Sequence, residues 1–312
     1  MKKLTLIFIY LIINCLITIN LPSVITTSNV IEAYQSQTKK QTPTVLFMTD
    51  FGQNDDSVAI CKGVMLKIEP RLRIIDISHQ VTPYSILDGA RFLAGTTRYY
   101  PSKTVFVSVI DPGVGSTRKA IVAKSKRGQY FVLPNNGLIT LVQDQDGLEA
   151  VREITNTKLM IGQKLSSTFH GRDIFSPVAA HLAHGIDWST VGPLVSLSEV
   201  IKLNINAAKL DEKGLTGEII ALDGQYGNLI TNIDEQDFAK LGYKIGDKVN
   251  IKIADQNISL SFVKTFSDVP IDAPLLYIDS RGHLAMAINQ NNFAQIYKVQ
   301  LPSRINLNYH SK

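Results

Sequence analysis

The sequence predicts an α/β N-terminal domain, a parallel-rich sheet with helices on its faces, followed by an all-β, barrel-like C-terminal domain. Three observations support this reading. Residues 44–118 read as strands and helices in the order βαβαβ, which requires a parallel sheet covered by helices. One of those strands, in TVFVSVIDPGVGSTR at 104–118, is a near-continuous apolar run, as expected of a strand buried on both faces. From residue 203 the chain becomes a series of short strands separated by turn signals.

In chain order, TVLFMTDFG at 44–52 is an apolar strand ending in Asp50 and Gly52. Asn54, Asp55, Asp56 and Ser57 are candidate caps for a helix whose apolar positions Val58, Val64, Met65 and Ile68 share one face, with Pro70 past its end. RIIDISH at 73–79 is a second strand, and VTPYSILDGARFLAGTTRYY at 81–100 a loop and helix. The strand within 104–118 stops at Asp111, because Pro112 cannot donate to a ladder and Gly113 and Gly115 permit backbone angles closed to other residues. Loops at the carboxyl ends of such strands are where open α/β sheets bind ligands.

KAIVAKSK and QYFVLPNNG are expected to pair as a hairpin around Arg127 and Gly128, and LITLVQDQ to form a short helix. LEAVREIT is compatible with strand or helix. Gly171 is expected to break the chain beside His170, Arg172 and Asp173, before a helix from Pro177 to a C-cap at Gly185. His181 and His184 lie on that helix, but no pattern of the catalytic-zinc type accompanies them. The boundaries that follow are 44–193 for the α/β domain and 203–301 for the barrel or sandwich, with strands in 214–233, 247–262, 274–288 and 294–301.

The 312 residues carry a formal charge of +5 with no basic run interleaved with aromatics, which argues against a nucleic-acid partner. Residues 1–33 combine Lys2 and Lys3 with a long apolar stretch and read as a secretory signal or a membrane anchor, with Ala33 as a cleavage candidate. Residues 34–43 read as a polar linker. Cys15 falls in the apolar stretch, so a processed chain keeps Cys61 alone and has neither a disulfide within the chain nor a cysteine zinc site. Export or anchoring is the expected localisation, with the N-terminal segment the one point of membrane contact; a cytoplasmic location stays open.

The chemistry-bearing residues fall in two groups. Asp50, Asp111, Arg118 and His170 belong to the first domain; Asp223, Tyr226, Asn228, Phe266, Ser280 and Arg281 belong to the second. A strand-end Asp is suited to grip vicinal ribose hydroxyls. An Asp, Arg and His set can orient and activate a water. An Arg beside a Ser offers a fork for a carboxylate, and Asp223 can pair with an ammonium. Together they describe a site for a zwitterionic nucleoside-like ligand, although each second-domain cluster also suits an ordinary turn.

The segments MTDFGQNDDSVAICKGVM, HQVTPYSILDGAR, TVFVSVIDPGVGSTR, PNNGLIT, STFHGRDIFSPVAAHLA, YGNLITNI and DSRGHLAMA resemble, in order, the S-adenosyl-L-methionine (SAM) hydroxide adenosyltransferases, or SAM hydrolases, relatives of the fluorinase and chlorinase. The resemblance implies a homotrimer with SAM, as substrate and with no cofactor, between the first domain of one subunit and the second of its neighbour. It places the water-activating triad on Asp111, Arg118 and His170, and the ribose grip on Asp50. Tyr84 takes the position of a pocket aromatic that is Trp in the fluorinase. Asp223 corresponds to the group that binds the methionine ammonium, Ser280 and Arg281 to those that hold its carboxylate, and Tyr226, Asn228 and Phe266 to the adenine pocket.

In the fluorinase the triad aspartate and histidine positions are both tyrosine, and a halide-binding serine follows the second. Here these are Asp111, His170 and Gly171, so the implied nucleophile is water or hydroxide. SAM is a cytosolic metabolite, which sits awkwardly with export: either an anchored enzyme faces SAM, or an exported one meets another nucleoside. The alternative function is an exported SAM- or adenosine-binding protein with little turnover.

Overall fold

The computed structural model describes residues 42–162, 164–223 and 226–310. The expected signal or anchor, its Ala33 cleavage candidate, Cys15 and residues 34–41 of the linker lie outside the described residues. Among the described residues no helix is long and apolar enough to cross a membrane.

The βαβαβ unit is formed by β1 (Thr44–Thr49), α1 (Ser57–Ile68), β2 (Arg73–Ser78), α2 (Ile86–Thr97) and β3 (Val105–Val109). The expected hairpin β4 (Ala120–Ser125) and β5 (Tyr130–Pro134) follows, then α3 (Thr140–Asp146), β6 (Leu148–Glu153), α4 (Ser176–His184) and β7 (Leu194–Val195). The sheet runs β2-β1-β3-β5-β4-β6-β7. β2, β1, β3 and β5 are mutually parallel, while the pairings β5–β4, β4–β6 and β6–β7 are antiparallel. LEAVREIT is thus a strand: β6 is held along β4 and buries Leu148 and Val151.

Every residue of β3 is buried, and alternation sends Val105, Val107 and Val109 to one face and Phe106 to the other. α1 and α4 cover the first face; α2 and α3 cover the second. The inward residues of α1 are Cys61 and Met65, flanked by Val58 and Ile68, rather than the expected Val64. Cys61 therefore serves as a small core hydrophobe, and burial pushes its thiol up to about 11. Asp56 occupies the N-cap of α1 without a side-chain bond; Asp55 instead accepts the Ser57 N–H at 2.9 Å.

β1 lies between β2 and β3, so the chain leaves it in one direction and returns on its other side. This is a topological switch point, where parallel sheets open a crevice at their carboxyl edge. The register pairs Thr49 with Val109, which brings Asp50 and the 111–118 loop out of adjacent strand ends.

The second domain contains β8 (Lys209–Asp211), β9 (Gly214–Asp223), β10 (Asn228–Asp234), α5 (Glu235–Ala239), β11 (Lys248–Ile253), β12 (Gln256–Phe262), β13 (Pro274–Ile278), β14 (His283–Ile288), α6 (Phe293–Ile296) and β15 (Ser303–Leu307). The order β10-β14-β13-β12-β11-β15-β9 closes because β9 also pairs with β10, making a barrel of seven strands with β8 attached to β9. Leu276, Leu284 and Met286 fill its interior, and the intervening Leu275, Tyr277, Ala285 and Ala287 form a second cluster with Phe266 on the opposite face.

The strand expected at 294–301 is not there. Asn292 accepts the Gln295 N–H at 2.8 Å and starts the short α6, which buries Phe293; the final strand is β15, paired to both β9 and β11.

Candidate active site

Asp50 follows β1, and its Oδ2 accepts the backbone N–H of Tyr84 at 2.9 Å. Tyr84 has φ 64°, a left-handed conformation that few non-glycine residues adopt, and its side chain projects from the surface just before α2. After β3 the chain turns sharply. The Gly113 N–H donates to Asp111 Oδ1 at 3.2 Å, and Arg118 folds back to pair with the same carboxylate. Gly113 permits that return, since a Cβ there would overlap the Arg118 guanidinium. Gly115, at φ 80°, lets the loop press against the Ser167 carbonyl, and so joins it to the segment carrying His170.

Burial pushes the Asp111 carboxyl above its usual value, against the opposing pull of Arg118, the Gly113 N–H and His170; Asp50 adds a smaller upward push. The Arg118 ion pair is thus a partial compensation for a desolvated carboxylate.

His170 precedes a π-helical turn, Gly171–Phe175, that runs directly into α4. Gly171 does not break the chain as expected; it opens this turn, a feature frequent at functional sites. A side chain at Gly171 would be crowded, because its Cβ would stand 3.0 Å from Phe51 Cζ. Asp173 is fully buried. Burial opposes its ionisation, yet Arg172, at 2.5 and 3.1 Å, and the Ser166 N–H, at 2.6 Å, hold it below the usual carboxylate range. This pair anchors the turn rather than facing the cavity.

Asp50, Tyr84, Asp111, His170 and Gly171 line one cavity of about 570 Å³, a volume suited to a small molecule. Phe51, Pro83, Thr168 and Phe169 also line it, none of them singled out by the sequence; their adjacency to Asp50, Tyr84 and His170 is the signal that could have found them. Among the described residues no hydrogen bond joins His170 to Asp111 or Arg118. His184 lies away from His170 in contact with Glu69, with Nδ1 2.5 Å from Oε2. Among the described residues no group of His, Cys, Asp or Glu is arranged to hold a metal ion.

The barrel residues line other cavities. Asp223, Tyr226, Asn228 and Phe266 border one of about 710 Å³, together with the carboxamide-rich turn 289–292. Asp223, Asn228, Phe266, Ser280 and Arg281 border an adjoining one of about 320 Å³, whose far wall is Arg91 and Phe92 of α2. Asn228 is buried and its Nδ2 donates to Asp223 Oδ2 at 3.4 Å; Tyr226 is exposed. Asp279 shapes the Ser280–Arg281 turn by accepting the N–H groups of Arg281 at 2.8 Å and His283 at 2.9 Å. Among the described residues, the cavity of Asp50, Tyr84, Asp111 and His170 is lined by none of the barrel site residues. Arg91 and Phe92 were not foreseen as site residues, although they lie at or next to the end of the quoted HQVTPYSILDGAR segment.

The fold defines a class: an α/β sheet with a switch-point crevice, followed by a closed seven-strand β-barrel with cavities of its own. The sequence matches the SAM hydroxide adenosyltransferase N-terminal domain over residues 45–192 and the C-terminal domain over 217–306, and the chain belongs to that family. It is 35% identical over 260 residues to an (R)-S-adenosyl-L-methionine hydrolase of Salinispora arenicola, covering 83% of this chain and 95% of that one. It is 33% identical over 285 residues to a fluorinase of Actinoplanes sp., covering 83% and 95%. A crystal structure of a conserved protein from Thermotoga maritima superposes with a TM-score of 0.78 at 36% identity, covering 84% of this chain and 99% of that one.

Proposed function

We propose that the protein hydrolyses SAM to adenosine and L-methionine. The observation that carries this reading is the shared cavity of Asp50, Asp111 and His170, with Arg118 paired to Asp111. Asp50, with one oxygen held by the Tyr84 N–H, presents the other to the ribose hydroxyls. Asp111 accepts a hydrogen bond from the attacking water, and Arg118 keeps that carboxylate ionised and fixed in direction. His170 takes the water proton as the oxygen closes on ribose C5′. The C–O bond forms as the C–S bond breaks in line, and the sulfur keeps the electron pair and leaves as neutral methionine. A sulfonium needs no general acid, so orientation and desolvation of the nucleophile supply most of the catalysis.

Water rather than halide is supported by two features. Asp111 is an anion where a halide would have to approach, and the close packing of Phe51 over Gly171 leaves little room for a halide-binding side chain. The barrel residues of a neighbouring subunit complete the site: Asp223 for the ammonium, Ser280 and Arg281 for the carboxylate, Tyr226, Asn228 and Phe266 for the adenine. The arrangement of the two residue sets in separate cavities of one chain supports that division.

The test is incubation of the purified protein with SAM, followed by chromatography for adenosine and methionine. Asp111→Asn and His170→Ala are each expected to lower kcat by roughly 10²- to 10⁴-fold while SAM still binds. Tight binding without product in the parent protein would favour the binding-protein reading, and a halogenated nucleoside formed with added chloride or fluoride would overturn the choice of nucleophile.

A further inference from the structure

We infer that α2 is the positioning platform for Arg281, and that Phe92 and Gly95 set the preference of the site for a substrate bearing a carboxylate. The inference rests on the reading of Arg281 as the carboxylate holder.

Arg281 sits on an exposed turn of the barrel, where a long side chain would ordinarily sample many rotamers. Its guanidinium is confined by α2 of the same chain. The carbon Cζ lies 5.6 Å from the centroid of the Phe92 ring, within cation–π range. Its other flank lies against Gly95: a Cβ on that residue would stand 3.1 Å from Cζ, 3.2 Å from Nε and 3.3 Å from Nη2. Nη1 points to the Arg91 carbonyl at 3.5 Å, at the outer limit of a hydrogen bond.

The two cations of this cavity are differently engaged. The Arg91 side chain is nearly buried and is paired with Asp88 at 3.0 Å. Arg281 makes no ion pair among the described residues, so an aromatic face and a bare stretch of helix fix its position while its charge stays available to a ligand. Gly95 is otherwise a poor choice in a helix interior, where glycine is less favourable than alanine. The space it leaves for the guanidinium accounts for it.

The experiment compares Gly95→Ala, Phe92→Leu and Arg281→Ala with the parent, using SAM and decarboxylated SAM, with Tm recorded for each variant. Gly95→Ala is expected to leave Tm unchanged or raised, since alanine favours the helix. It should raise KM for SAM by roughly tenfold, hold kcat within about twofold, and leave KM for decarboxylated SAM unchanged. Phe92→Leu should move the KM ratio the same way, and Arg281→Ala should abolish it. A parental ratio in Gly95→Ala and Phe92→Leu, with the ratio lost in Arg281→Ala, overturns the inference and leaves the role of Arg281 standing. A ratio unchanged in Arg281→Ala removes that role and the inference with it, and a parent protein that leaves SAM intact removes the hydrolase reading beneath both.

Discussion

Asp111 is the residue on which the proposed chemistry depends, and its environment makes a sign prediction. Burial raises its carboxyl above the ordinary value while Arg118 pulls it down. Activity that requires the carboxylate is therefore absent at the lowest pH and rises through a value above that of a free aspartate. Arg118→Ala removes the largest downward pull, so the acid limb of kcat/KM is expected to move to higher pH, together with a loss of rate. A pH–rate profile checks this; an unmoved limb would separate Arg118 from Asp111. The grouping of Asp111, Arg118 and His170 was legible through the family resemblance, because an Asp and an Arg beside a glycine-rich loop also suit an ordinary turn. The direction of the Asp111 shift was not, since it depends on how much water the folded loop excludes.

At the scale of elements, β1 and β3 were readable from apolar runs that end in Pro, Gly and Asp. The π-helical turn before α4 was not, because it goes with contacts that only the folded chain makes: half-exposed Arg172 paired to the buried Asp173, and Phe51 packed over Gly171. The segment 294–301 misled for a related reason: its alternation imitates a strand, and the Asn292 cap and the buried Phe293 prevail locally. α1 and α4 are tied at their ends by Glu69, which bonds Arg71 and His184 and is held down from 4.5 to about 2, Arg71 contributing most. A carboxyl depressed in the folded state contributes stability that is fully present above its unfolded value and is lost as pH falls through the folded one. Between about pH 4.5 and 2 the parent should thus lose stability that Glu69→Gln lacks at every pH. Denaturation midpoints across that range check this: the gap between the two proteins should close toward pH 2, and a constant gap would mean that Glu69 acts through shape alone.

At the scale of the whole molecule, the two residue sets of one chain line different cavities, and under the proposed function each site takes one half from each of two neighbours, as in a heterologous ring. This makes complementation possible. Asp111→Asn damages only the α/β half and Arg281→Ala only the barrel half. Mixed and reassembled in equal amounts, the two should recover about a quarter of parental activity, because that fraction of sites receives both intact halves. No recovery, with mixed assemblies shown to form, would place the whole site within one chain.

By itself the sequence determined the α/β unit, the β-rich second domain and the identity of the chemical groups, because periodicity and turn residues are local and reactive side chains are recognisable by type. Closure of the barrel and the burial that shifts Asp111 were decided only by the tertiary structure. So was the placement of Arg281 against α2. Each of these joins residues far apart in the chain, or depends on water excluded by their packing, and neither leaves a periodic mark on the sequence.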